Sequence, residues 1–324
     1  MVTLNSLSRR DGLIWAAALI GLALVAPYFL YPVFLMRALC LALFACAFNL
    51  LLGYVGLLSF GHAAFMGSAA YITAHTCKVW GWPPELGIIA GVAVAAGLGA
   101  VFGWLAIRRS GIYFAMITLA LAQMIAFFAT EAKFTGGEDG IQAVPRGHLL
   151  GVIDLDDNLV MYYFVLAVFL IGFAIIQRAV NSPFGQVIKA IRENEPRAIS
   201  LGYQAERYKL LAFVLSAALA GLAGSTKCLV LQLASLSDVD WTTSGQVVLM
   251  TLLGGVGTLL GPVVGAFVVV TMENYLAPTG SWVTILEGAI FVTCVLTFRR
   301  GIVGVLQPYL TGWNRPPVAQ PSAE

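Results

Sequence analysis

Apolar runs of bilayer length alternate with short breaks of charge, proline and glycine along almost the whole chain. Residues 14–30 and 159–176 are apolar on every side, with no alternation of period two. A strand of a closed barrel would alternate, so helices carry these runs. Cutting at the breaks predicts spans near 12–30, 33–52, 60–77, 86–107, 111–130, 159–178, 210–228 and 283–299. The stretch 242–276 is too long for one crossing at 1.5 Å per residue. Its centre reads Gly254-Gly255-Val256-Gly257-Thr258 and then Gly261-Pro262, which predicts a turn and two helices, 242–254 and 259–276. The expectation is ten helices.

Composition agrees with the pattern. Of 324 residues, 60% are apolar and 10% charged, with a mean hydropathy of +0.88, against about 25% charged in an average soluble domain. A soluble globular fold is excluded, and the reading is an all-α polytopic membrane bundle forming one transmembrane domain over residues 1–324. The net charge of +2 and the lack of a basic run interleaved with aromatics give no support to nucleic acid as a partner. Five scattered cysteines show no metal-ligand spacing.

The placement of charge predicts which way up the helices lie. With ten helices and an inner N-terminus, thirteen of the eighteen Lys and Arg residues fall on the inner side: Arg9, Arg10, Arg108, Arg109, Arg178, Lys189, Arg192, Arg197, Arg207, Lys209, Arg299, Arg300 and Arg315. Both termini are then cytoplasmic, with a cytoplasmic tail at 300–324. Lys78, Lys133, Arg146 and Lys227 fall outside, Lys227 snorkelling at the outer edge, and Arg37 lies just inside the second helix. Segment 131–158 carries a net charge of −4 and is expected to face outward. Segment 181–209 is a long inner loop, and therefore a candidate for function.

That loop has helical signatures. Ser182-Pro183 is a helix start. Val187, Ile191, Ala198 and Leu201 share one face, while Lys189, Arg192, Glu193 and Glu195 lie elsewhere. Proline at 196 predicts a break there, giving helices over 183–194 and 196–201 with Gly202 as the stop. The element suits docking on a partner protein or lying on membrane lipid with its arginines on phosphates.

Glycine is concentrated at two helix junctions. Gly53, Gly56, Ser59, Gly61 and His62 fall at the first; Gly254, Gly255, Gly257 and Thr258 fall at the second. Leu-Leu-Gly-x-x-Gly-x-Leu begins at both Leu51 and Leu252. Irregular backbone at membrane depth lines a route or is buried in protein, so these residues are candidates for a translocation pathway; close packing of helices on glycine is the alternative. Asn49, Thr118 and Gln123 could bond between helices or line a pore, and Glu273 and Glu287 lie towards outer helix ends where they can snorkel.

Enzymatic motifs are missing. No P-loop, H-E-x-x-H or G-x-S-x-G occurs. What remains is a conduit, driven either by an ion gradient within itself or from outside through the inner loop.

Five strings carry a family resemblance: GLLSFGHAAFMGSAAY (56–71), TGGEDGI (135–141), RENEPRAISLGYQAERYKLLAF (192–213), SAALAGLAG (216–224) and GGVGTLLGPVVGA (254–266). Together they resemble the permease subunits of branched-chain amino acid ABC transporters, the TGG-x-DG and RENE strings favouring the LivM-like branch. The resemblance implies a ten-helix importer fold in a bacterial inner membrane and no catalysis on this chain. It also implies a homologous second permease subunit, two cytoplasmic ATPase subunits that bind the ATP, and a periplasmic solute-binding protein. The inner loop would be the ATPase-docking loop, with Glu195, Ala198 and Gly202 at its usual positions. Pro196, Arg197 and Leu57 depart from the family's usual residues. Relatives of this class carry branched-chain amino acids, and others urea, aromatic acids or other small organic solutes.

Overall fold

The computed structural model describes residues 21–276 except 150 and 152, together with 285, 288, 289, 292, 293 and 301–304. The expected first span is described only from residue 21, and the last, 283–299, lies almost wholly outside the described residues, as do Arg9, Arg10, Arg299, Arg300, Arg315 and the tail beyond 304. Ten helices can be named in the described part: α1 (Pro32–Asn49), α2 (His62–Lys78), α3 (Pro84–Ala106), α4 (Ile112–Glu131), α5 (Asn158–Asn181), α6 (Pro183–Glu193), α7 (Glu195–Ser200), α8 (Ala205–Leu231), α9 (Trp241–Gly254) and α10 (Gly261–Leu276). Eight of them match predicted spans, and α6 and α7 are the loop helices. Among the described residues five segments are long and apolar enough to cross a membrane: α1 with its extension to Val55, α3, α4, α5 and α8. The chain is an all-α polytopic membrane bundle.

Helix α1 is its axis. Every residue from Leu35 to Asn49 is buried except Arg37, because α5, α8, α9 and α10 pack around it. Between α3 and α8 the fit depends on small residues, since apolar side chains gain little by leaving lipid for protein. Gly91, Ala95, Gly99 and Gly103 recur every four residues along α3 and face Ser225, Gly221, Ala217 and Phe213 of the antiparallel α8. A Cβ on Gly99 would strike that of Ala217, and one on Gly221 would strike that of Ala95.

The end of the bundle opposite α6 and α7 is closed by short pieces. The strands β1 (Ile141–Gln142), β2 (His148–Leu149), β3 (Ile153–Asp154) and β4 (Leu233–Ala234) form two antiparallel pairs. Ile141 pairs with Ala234 and His148 with Asp154. Buried Arg146 fastens this cap to the helices, donating to the Val230 carbonyl at 2.9 Å and to Asn158 Oδ1 at 3.0 Å. From β4 the chain descends alongside α2, where Asp238 and Val239 press on Gly67. Irregular backbone is tolerated there because it is enclosed by protein. Lys227 does not snorkel as predicted: it pairs with Asp238 at 2.5 Å, the two side chains 15% and 8% exposed. Asp238 supplies the counter-charge that a buried ammonium needs.

Candidate functional site

The two glycine breaks meet. At the end of α1 the backbone widens into a π-turn over Leu50–Val55, and both Gly56 and Leu57 donate to the Leu51 carbonyl. Gly56 then takes φ +84°, a conformation open to glycine at little cost, and the helix stops. At the other break α9 ends at Gly254, and a turn through Thr258 starts α10: the Thr258 hydroxyl donates to the Gly255 carbonyl at 2.8 Å and accepts from the Gly261 amide at 3.1 Å. Asn49 stitches the breaks together. Its Nδ2 donates to the Thr258 carbonyl at 2.8 Å, and its Oδ1 accepts from the Gly257 amide at 2.9 Å. The backbones approach so closely that a Cβ on Gly53 would lie 2.7 Å from the Gly257 nitrogen and would also strike Asn49 Oδ1.

The loop helices dock on this seam. Ser182 caps α6, accepting from the Gly185 amide. Asn194 breaks the pair one residue earlier than predicted: it is extended (φ −155°, ψ 93°) and caps α7 by accepting from the Arg197 amide. Pro196 therefore does not mark the break. It sits within the first turn of α7, where a missing N–H costs nothing. Gly202, at φ +91°, is the stop.

From α6, the Arg192 guanidinium donates to the Gly53 carbonyl, and its stem lies 3.0 Å from where a Gly56 Cβ would stand. Lys189 donates to the Val180 carbonyl at 3.1 Å and lies 5.6 Å from the Tyr54 ring centre. Loss of hydration there holds its amine below the ordinary lysine value. Glu195 pairs with Lys209 at 2.6 Å, tying α7 to the start of α8. Ile191, Ala198 and Ala205 form a small core, with Val187 and Tyr208 packed on it. Leu201 does not join that face as predicted. It is 71% exposed at the end of α7, with Ile199 at 55% and Tyr203 at 41%.

The predicted residues thus fall into three groups. Gly53, Gly56, Gly257, Thr258 and Arg192 converge at the seam, with Lys189 beside it. Gly254 and Gly255 lie just behind, packed on Gly261 and Gly301. Glu193, Glu195, Ala198 and Gly202 belong to the loop's outer part. Ser59, Gly61 and His62 build something else, the buried start of α2. There Ser59 Oγ accepts from the Gly61 amide, Thr118 Oγ1 from the Phe60 amide and Ser244 Oγ from the Ala63 amide. His62 Nε2 lies 2.8 Å from Ser216 Oγ, which itself donates to the Ala47 carbonyl, so Nε2 carries the proton. Phe48, Phe65 and Phe213 wall the ring edge-on.

The sequence pattern does not single out the role of Asn49, although a lone amide in an apolar run is the available signal. Nor does it mark Ile199, Leu201 and Tyr203 as exposed. Among the described residues no group of three or more His, Cys, Asp or Glu side chains converges in a way that could hold a metal.

Comparison with known proteins agrees with this architecture. The high-affinity branched-chain amino acid transport system permease protein LivM of Escherichia coli is 25% identical over 290 residues, covering 81% of this chain and 67% of that protein. A probable branched-chain amino acid transport permease protein LivM of Methanocaldococcus jannaschii is 26% identical over 64% of this chain and 63% of its own. The autoinducer 2 import system permease protein LsrC of Klebsiella pneumoniae is 29% identical over 57% of this chain and 53% of its own. No solved structure matches. Residues 32–295, from the first residue of α1 to beyond α10, match the model of one family, and the chain accordingly belongs to the branched-chain amino acid transport system / permease component family.

Proposed function

We propose that this chain is the membrane permease subunit of an ATP-driven importer of branched-chain or related amino acids. In this reading the end bearing α6 and α7 is cytoplasmic and the β-capped end is periplasmic, in a bacterial inner membrane with both termini inside. Two cytoplasmic ATPase subunits bind the nucleotide and dock on the 181–209 loop. A homologous second permease completes the route, and a periplasmic binding protein delivers solute to the 131–158 side. Ile199, Leu201 and Tyr203 offer the ATPases an apolar contact, and Glu193 and Arg197 are exposed on the same loop.

One observation carries the coupling: Arg192, on the docking loop, is bonded to the backbone of Gly53 where the two broken helices touch. A displacement of the loop by nucleotide-driven closure would pull directly on the seam. Glycine-rich backbone can follow at little conformational cost. The chain supplies coupling and path, and the energy comes from its partners. The LivM relatives support an amino acid as solute, while the LsrC relative makes a chemically different solute the second candidate.

The test is uptake of leucine into proteoliposomes holding this chain with its second permease, ATPases and binding protein. Uptake should require ATP, and Glu195→Ala or Gly202→Val should lower ATPase association or transport while the chain still inserts. Uptake by the chain alone, driven by a sodium or proton gradient, would make it a self-contained secondary transporter and sink the reading.

A further inference from the structure

A second polar cluster lies at the opposite end of α1 from the seam. The antiparallel pairing of α1 with α10 sets Arg37 against Glu273, with Nη2 donating to Oε2 at 2.6 Å. The other carboxylate oxygen accepts from Gln246 Nε2 of α9. Lys227 of α8, paired with Asp238 at 2.5 Å, adds a second ion pair towards the same end of the bundle. Ionisable groups within a bundle of this kind are expensive, and they concentrate where a polar route needs them.

The two partners are unequally covered. Glu273 is 12% exposed, with both oxygens engaged, whereas the Arg37 side chain is 40% exposed and makes one hydrogen bond among the described residues. A guanidinium presents five N–H donors in a planar fork. Among the described residues most of that fork is unused. Arg37 is also the one uncovered residue between Leu35 and Asn49 of the axial helix.

We infer that Arg37 is a receptor for the carboxylate of the transported solute, positioned by Glu273 and Gln246. Arginine suits this task because two parallel N–H bonds match a carboxylate's two oxygens. The class of solute follows from charge. Arg37, Glu273, Lys227 and Asp238 sum to zero, so a free amino acid, itself a zwitterion, adds no net charge to the site, whereas a simple anion adds one. This rests on the importer reading, in which that end of α1 faces the periplasm and meets solute first.

The experiment uses the assembled transporter in proteoliposomes, with leucine as probe and urea, which has no carboxylate, as control. Arg37→Gln should lower kcat/KM for leucine uptake at least tenfold, mainly through KM, with co-purification of the ATPases unchanged. Arg37→Lys keeps the charge but not the fork and should still raise KM several-fold. If Arg37→Gln does not assemble, the lysine variant decides, and an unchanged KM for it overturns the inference. The swap Arg37→Glu with Glu273→Arg restores an ion pair facing the wrong way. It should restore assembly and not uptake; recovered uptake would mean the pair is purely structural. A defect that tracks the anionic lipid content of the vesicles would assign Arg37 to lipid phosphate and likewise overturn it, as would a wild type that carries urea and not leucine. ATP-independent uptake by the wild type would sink the importer reading alone, and the Arg37 variants would then be read in that assay.

Discussion

At the seam the polar groups are mostly backbone: the Gly53 and Thr258 carbonyls and the Gly257 amide, gathered by one amide side chain and one guanidinium. At the other end of α1 they are charged side chains, Arg37, Glu273, Lys227 and Asp238, paired two by two. The first arrangement keeps two helix ends in touch without fixing them by side-chain packing. The second fixes three helices in register and leaves a donor free. The same helix thus ends in a joint on one side and a receptor on the other, which is the division of labour a driven conduit requires.

The comparison breaks most readily at Gly53. A methyl there collides with the Gly257 nitrogen and displaces Asn49, so Gly53→Ala should destabilise the chain by about 2–5 kcal/mol, combining overpacking with the loss of buried hydrogen bonds. Gly245→Ala, at a position of α9 where an added Cβ meets nothing within 4 Å, is the matched control and should leave the unfolding midpoint in place or raise it slightly. Thermal unfolding of the purified chain in nanodiscs reads both. Equal stability of the two variants would mean that the seam is loosely packed and does not join the two helix ends.

Next comes Arg192. The residue is exposed, so Arg192→Ala should change stability by only about 1 kcal/mol. Transport in the assembled complex should nevertheless fall about tenfold or more, equivalent to about 1.4 kcal/mol or more of lost coupling, while ATP hydrolysis continues. Hydrolysis without uptake is the signature of a severed linkage. Transport at the wild-type rate would show that loop motion reaches the bundle by another route.

Much of this is legible in the chain and some of it is not. The spans are readable because few structures besides a membrane crossing call for an apolar run of bilayer length. The loop's first cap is readable because Ser182-Pro183 pairs an acceptor with a residue lacking an amide. Both glycine breaks can be located, but not their contact: Gly53 and Gly257 are about two hundred residues apart, and nothing local says that Asn49 reaches between them. The loop breaks at Asn194 and not at proline because a first-turn proline with an asparagine cap ahead of it is as compatible with the string as a proline that ends the preceding helix. Lys227 reads as snorkelling because its partner, Asp238, lies on an irregular segment that no periodicity announces. The Arg37–Glu273 pair is hidden for a similar reason, since the pairing of α1 with α10 is a tertiary fact.

The smallest effect expected concerns Lys189, and it sharpens the distinction between joint and receptor. Its amine is held below the ordinary lysine value of 10.5 by loss of hydration where α6 lies on Tyr54. The folded chain therefore releases this proton more readily than the unfolded chain. Between the lowered folded value and 10.5 the unfolded state binds more protons, so stability rises with pH across that window, and below it the full penalty is present. Relative to Lys189→Gln, the wild type should gain stability as pH rises through the lowered folded value towards 10.5. The gain should be slight because the group is only half-buried and water screens the remainder. In Arg192→Ala, where the loop is freed from the seam, Lys189 regains its hydration and the pH-dependent gain should vanish. Unfolding midpoints of wild type, Lys189→Gln, Arg192→Ala and the double variant across that range decide the matter. A gain that persists in Arg192→Ala would mean that α6 is held on the seam by its own packing, leaving Arg192 to transmit force and not to dock the loop.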